Sequence, residues 1–195
     1  MLSLCIVVYT NAQLQSVTVN KTSVTIEKQN YPALSVSFNA SDDDVEDVIK
    51  NEIKQNDGKV KRDDGFIIGR HVKVRTVSDS ELDILWQIDS KGRKKNEICT
   101  VAMAVKQADG TFVSDSVNNE TYTRAYAYLS ELPHKVQLYR KDKELTALRE
   151  QLKKVTSELK DLQSSSSDQK KNFSKKTKEI EELEEKINNM QKSNM

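Results

Sequence analysis

A chain of 195 residues with 31 basic and 30 acidic side chains carries a net charge of +1, which leaves no overall field to draw in nucleic acid or an acidic membrane. Its hydrophobic fraction of 36% lies below the roughly 45–50% of globular chains when Gly is counted. The deficit falls on the last third, mostly Lys, Glu, Ser, Asn and Gln with Leu or Ile at intervals, so the head can bury a core while the tail must bury a narrow seam.

In chain order, Leu2 to Tyr9 form a short apolar run, and Thr10-Asn11-Ala12 then places small side chains ahead of a possible cut before Gln13. The expectation is a secretory signal peptide at residues 1–12, with its basic start missing upstream. Two other readings stand beside it. Ile6-Val7-Val8-Tyr9 also suits a buried first strand, and Leu2-Ser3-Leu4-Cys5 loosely fits a lipoprotein signal, although the apolar run continues past the cysteine. The run is too short to span a membrane as a helix.

Residues 14–38 alternate as strand at Val17 and Val19, Val24 and Ile26, then Leu34, Val36 and Phe38, with Tyr31-Pro32 dividing the later runs. Proline there belongs at an edge or in a turn. Residues 42–55 predict a helix. Ser41 is its N-cap, Asp42, Asp43 and Asp44 suit the positive end of its dipole, Val45, Val48, Ile49 and Ile53 share a face, and Asn56-Asp57-Gly58 is a stop. Three more strands are predicted at Phe66–Val74, Leu82–Ile88 and Cys99–Val105, with turns at Asp63-Asp64-Gly65 and Asp109-Gly110 and a polar loop over 89–97. A second helix begins near Asn119, with Tyr122, Ala125, Tyr126, Leu129 and Leu132 on one face, and Pro133 is expected to kink or end it. The fold class is α+β: a mostly antiparallel sheet of about five strands covered by one or two helices, in a head domain over 13–132.

The tail, 133–195, changes period. Leu145, Leu152 and Leu159 fall at a, with Leu148, Val155 and Leu162 at d. After a Ser-rich break at 163–169, Phe173, Ile180 and Ile187 return at a, with Leu183 and Met190 at d. This seam predicts a coiled coil, either one long helix or a helical hairpin turning at Ser164–Asp168. The hairpin is favoured because a single helix leaves the seam uncovered. The cluster Lys170, Lys171, Lys175, Lys176, Lys178 precedes Glu179, Glu181, Glu182, Glu184, Glu185, a pattern that disfavours a parallel in-register pair.

Groups that carry chemistry are sparse. The two histidines, His71 and His134, lie in different segments without partners at ligand spacing, and there is no Gly-rich phosphate loop, serine elbow or zinc pattern. Asp42-Asp43-Asp44 lacks the spacing of a calcium loop and reads as helix capping. Cys5 and Cys99 are too few for a disulfide framework, and Cys99 reads as a small buried residue. Trp86 reads as core. No catalytic, cofactor or metal residue is expected.

The signal ending Asn11-Ala12-Gln13, the stretch from Phe38-Asn39-Ala40-Ser41-Asp42 to Asp57-Gly58-Lys59-Val60 and the Lys/Glu-rich helical tail resemble a set of uncharacterised exported bacterial proteins with a small α+β head. The resemblance implies a periplasmic or cell-envelope location and no activity. The expected function is that of a non-enzymatic structural or interaction protein whose tail associates with itself or another coiled-coil protein. The alternative is a head that binds a lipid, peptide or glycan, with the tail as spacer.

Overall fold

A computed structural model describes residues 17–92, 97–163 and 170–192 of the chain. The fold is α+β. Six strands form one antiparallel sheet: β1 (Val19–Ile26), β2 (Gln29–Asn39), β3 (Lys59–Asp63), β4 (Phe66–Val72), β5 (Leu82–Lys91) and β6 (Ile98–Lys106), in the spatial order β1-β2-β6-β5-β4-β3. Helix α1 (Asp42–Gln55) carries the chain from β2 to the far edge, and the β3–β6 meander returns to place β6 beside β2. Helix α2 (Asn119–Gln163) then crosses the same face, and α3 (Lys170–Lys192) packs back along α2.

α1 forms where its cap and apolar spacing require it. The Ser41 hydroxyl accepts from the Asp44 amide at 3.2 Å, and Val45, Val48, Ile49 and Ile53 are buried. At its end Asp57 takes φ 57°, and Gly58 N–H donates to the Ile53 carbonyl. These residues meet Val36, Ile84, Trp86, Val101 and Met103 from the sheet and Ala125, Tyr128, Leu129 and Leu132 from α2, forming the main core. Alternation sends the intervening strand residues to the opposite face, where Val24, Ala33, Phe66, Leu85 and Ala104 make a second cluster.

Three expectations are corrected. The sheet has six strands, because Lys59–Asp63 pairs with β4 as an edge strand. The break between the first two strands lies at Glu27-Lys28, a two-residue hairpin turn with φ 50° and 66°, and not at Tyr31-Pro32. Pro32 sits inside β2, opposite Ser23 of β1, before the β6 pairing starts at Leu34; its missing N–H therefore costs no bond on that side. Finally, α2 does not end at Pro133 but continues as one helix of 45 residues, and Val136 and Tyr139 beyond it still pack on the core. The N-terminal readings at 1–16 and the proposed turn at 164–168 lie outside the described residues, as does most of the β5–β6 loop tip.

Candidate functional site

At the junction between α1 and α2, polar side chains of the two helices pair along their length. Along α2, Tyr128, Lys135, Tyr139 and Lys143 recur at helical spacing and meet Glu52, Asp47 and Asp44 in reverse order along α1. The Tyr128 hydroxyl donates to Glu52 Oε2 at 2.8 Å, and Lys135 Nζ donates to Glu52 Oε1 at 2.8 Å while lying 4.4 Å from the Tyr128 ring centre. The Tyr139 hydroxyl donates to Asp47 at 2.9 Å. Lys143 reaches Asp44 at 2.9 Å, with the Arg140 guanidinium 3.6 Å away.

Electrostatics follow from this packing. Burial, then the Glu52 charge and hydrogen bond, push the Tyr128 phenol well above its ordinary value. Burial pulls the Asp44 carboxyl upward, but hydrogen bonds from Lys143 and Ser41 and the charges of Lys143 and Arg140 hold it below the usual range. The sequence reading assigned Asp44 to the helix dipole alone. Its cationic partners, Arg140 and Lys143, lie about a hundred residues away, so only the tertiary fold identifies them.

The ladder ends at Lys143, and the heptad seam starts at Leu145. Leu145 and Val155 of α2 and Leu183 and Ile187 of α3 are buried, while Leu148, Leu152, Leu159, Phe173, Ile180 and Met190 are half-buried. The side chain of Leu162 lies outside the described residues. Lys176, at a core position, turns its ammonium to Glu158 at 2.7 Å and Glu179 at 3.1 Å. Glu158 lies near the end of α2 and Lys176 near the start of α3, so the two helices run antiparallel as a hairpin. Lys178 pairs with Glu182 at 4.0 Å.

A cleft of about 430 Å³ opens between the start of α1 and the β3–β4 turn, lined by Phe66, Ile67 and Ile88 together with Asp42, Glu46 and Arg62. Burial raises the Glu46 carboxyl, but Lys50 and Arg62 bond to it and leave it net below its ordinary value. Its charge is thus already neutralised within the protein. A second hollow of about 290 Å³ lies beside the ladder, over Val48, Asn51, Gln55 and Lys135.

The remaining chemistry-bearing residues stand apart. His71, at φ 54° beside a register shift in β4, is exposed with Nδ1 3.6 Å from Glu81, and His134 is exposed on α2. Cys99 is buried, and that burial, then Asp42, Glu97 and Asp89, push its thiol up to about 12. A thiol held protonated in this way is a poor nucleophile. Trp86 is buried in the main core, and its Nε1 finds no partner among the described residues. Among the described residues no group of three His, Cys, Asp or Glu is placed to hold a metal, and no helix is long and apolar enough to cross a membrane. No protein-family model matches the chain, and a comparison with curated proteins finds no match.

Proposed function

We propose that this is a non-enzymatic structural or interaction protein, in which the α+β head holds a helical hairpin arm and the arm associates with itself or with another coiled-coil protein. The observation that carries the reading is the continuity of α2. One helix is bonded to α1 through Tyr128, Lys135, Tyr139 and Lys143, and then supplies half of the arm without a break. Head and arm are thereby mechanically coupled, and the arm adds nothing to the head's own core. Its half-exposed Leu148, Leu152, Leu159, Phe173 and Ile180 leave an apolar edge along the seam against which a further helix can pack.

Native mass spectrometry of the full chain, joined to photo-crosslinking from positions 152 and 180 in the host, tests this. A defined oligomer, or a helical partner crosslinked at those positions, is the expected result. A monomer at all concentrations with no arm crosslink rejects it. The cleft lined by Phe66, Ile67 and Ile88 together with Asp42, Glu46 and Arg62 supports a second reading, a head that binds a lipid, peptide or glycan with the arm as spacer. That reading is supported by a small molecule retained by the monomer.

A further inference from the structure

The helical arm has two unlike sides. In an antiparallel helix pair the a and e positions of both helices lie to one side of the seam, and d and g to the other. The d/g side is closed: Val155 and Leu183 at d are buried, and Lys176 at d bonds to Glu158 and Glu179 at g. On the a/e side Leu152, Leu159, Phe173 and Ile180 at a stay half-exposed, and only nearer the head are the a residues Leu145 and Ile187 buried. The e positions beside this stripe are Thr156 and Thr177. Their hydroxyls donate to the carbonyls of Leu152 at 2.7 Å and Phe173 at 3.0 Å, one turn back, so both are satisfied within their own helices. Large apolar side chains flanked by small ones leave room for another helix to approach closely.

The charges beside the stripe are sorted by helix. At positions b and e, α2 carries Arg149, Lys153 and Lys160, whereas α3 carries Glu181 and Glu184. All five are exposed, and none forms an ion pair among the described residues. One margin of the face is therefore basic and the other acidic, with neither neutralised inside the chain.

We propose that this a/e face docks a second copy of the same chain, the two related by a twofold axis along the arm, so that the basic margin of each α2 lies on the acidic margin of the other copy's α3. Counting back from the Glu158–Lys176 contact puts Lys153 level with Glu181, and Arg149 level with Glu184 to within a residue. Both pairs then form on each side of the axis. Arms packed face to face but head to tail would set α2 on α2 and bring like charges together. The inference rests on the reading that the arm is the associating part, and adds the partner, the face and the orientation.

Sedimentation of the full chain tests it. Wild type is expected to dimerise. Arg149→Glu with Lys153→Glu, and separately Glu181→Lys with Glu184→Lys, are each expected to weaken self-association ~tenfold or more, because the twofold repeats pairs that are individually weak. Mixed one to one, the two variants are expected to form a mixed dimer of wild-type strength. Lys154→Glu, at c on the far side, leaves dimerisation unchanged. Far-UV dichroism is followed throughout. Where a reversal lowers the helical signal, Thr156→Arg decides, since it blocks the face from outside the seam and is expected to give a fully helical monomer. A dimer indifferent to these changes, or reversed variants that do not complement one another, overturns the proposal and leaves the arm's associating role standing. So does a chain that is monomeric alone but crosslinks a different helical protein from positions 152 and 180. A monomer without any arm crosslink overturns both.

Discussion

Gly69 shows how one residue couples helix to sheet. A Cβ placed there meets Val72 Cγ2 at 2.7 Å, Ile53 Cγ1 at 3.0 Å and Trp86 Cζ3 at 3.1 Å, so α1 and the Trp86 ring close over bare backbone. Gly69→Ala is therefore expected to overpack the core and cost about 1–3 kcal/mol, seen as a lower urea midpoint at unchanged slope. An unchanged midpoint would mean that Ile53 and Val72 give way freely. A glycine within an apolar strand is a visible sign of close approach. Which atoms approach it is not visible, because Ile53 belongs to a helix that arrives only through the crossover from β2.

Asp44 gives a second test at the same scale. Its carboxyl lies below its ordinary value in the folded protein. Such a group stabilises the fold above the unfolded pKa of about 3.9, and the benefit is lost as pH falls through the lower folded value. In thermal melts, the margin of wild type over Asp44→Asn is expected to stay level from about pH 7 to about pH 5 and to shrink below about pH 4. Glu46, shifted in the same direction, is present in both proteins and cancels in the difference. A margin that widens in acid would show that Asp44 is not the paired group described.

At the scale of elements, the α1–α2 ladder is expected to behave as a network. Tyr128→Phe removes a hydrogen bond to a charged acceptor in a part-buried site and is expected to cost about 1.5–3 kcal/mol. Lys135→Met removes the other donor to Glu52. Because the two share one acceptor, a double-mutant cycle in urea should show coupling, whereas additive losses would separate them. The helices themselves were legible: Ser41, the Asp42–Asp44 turn and the spacing of Val45, Val48, Ile49 and Ile53 mark α1 to its ends. One strand and one turn were not. Lys59–Asp63 carries one apolar residue, Val60, as suits an edge strand that faces solvent, and period-two alternation has nothing there to report. The Glu27-Lys28 turn takes positive φ without the Asn or Gly that normally signals it, so Tyr31-Pro32 drew the boundary instead.

At the scale of the whole molecule, heptads alone fit two shapes. A continuous helix leaves the seam for a partner chain, while a hairpin closes it within the chain. The seam that a single helix would leave uncovered favours the hairpin, and α3 does return along α2. From Leu145 to Gln163 the arm extends roughly 28 Å at ~1.5 Å per residue. Because the ladder ends at Lys143, the arm and the head core share, among the described residues, no buried side chain beyond the helix that joins them. They should therefore fail separately. Leu183→Asp places a charge in the arm's buried seam, and the arm's helical signal is expected to fall while the head's melting temperature stays within about 2 °C of wild type, the shift a surface change brings. Spin labels at positions 145 and 190 give the direct geometric check: about 10 Å in wild type, as for packed antiparallel helices, against roughly 65 Å for one continuous helix. Loss of the short distance in Leu183→Asp, with the head intact, would show the arm to be a separable lever carried by α2. A head that melts together with the arm would show instead that the long helix transmits stability across the junction.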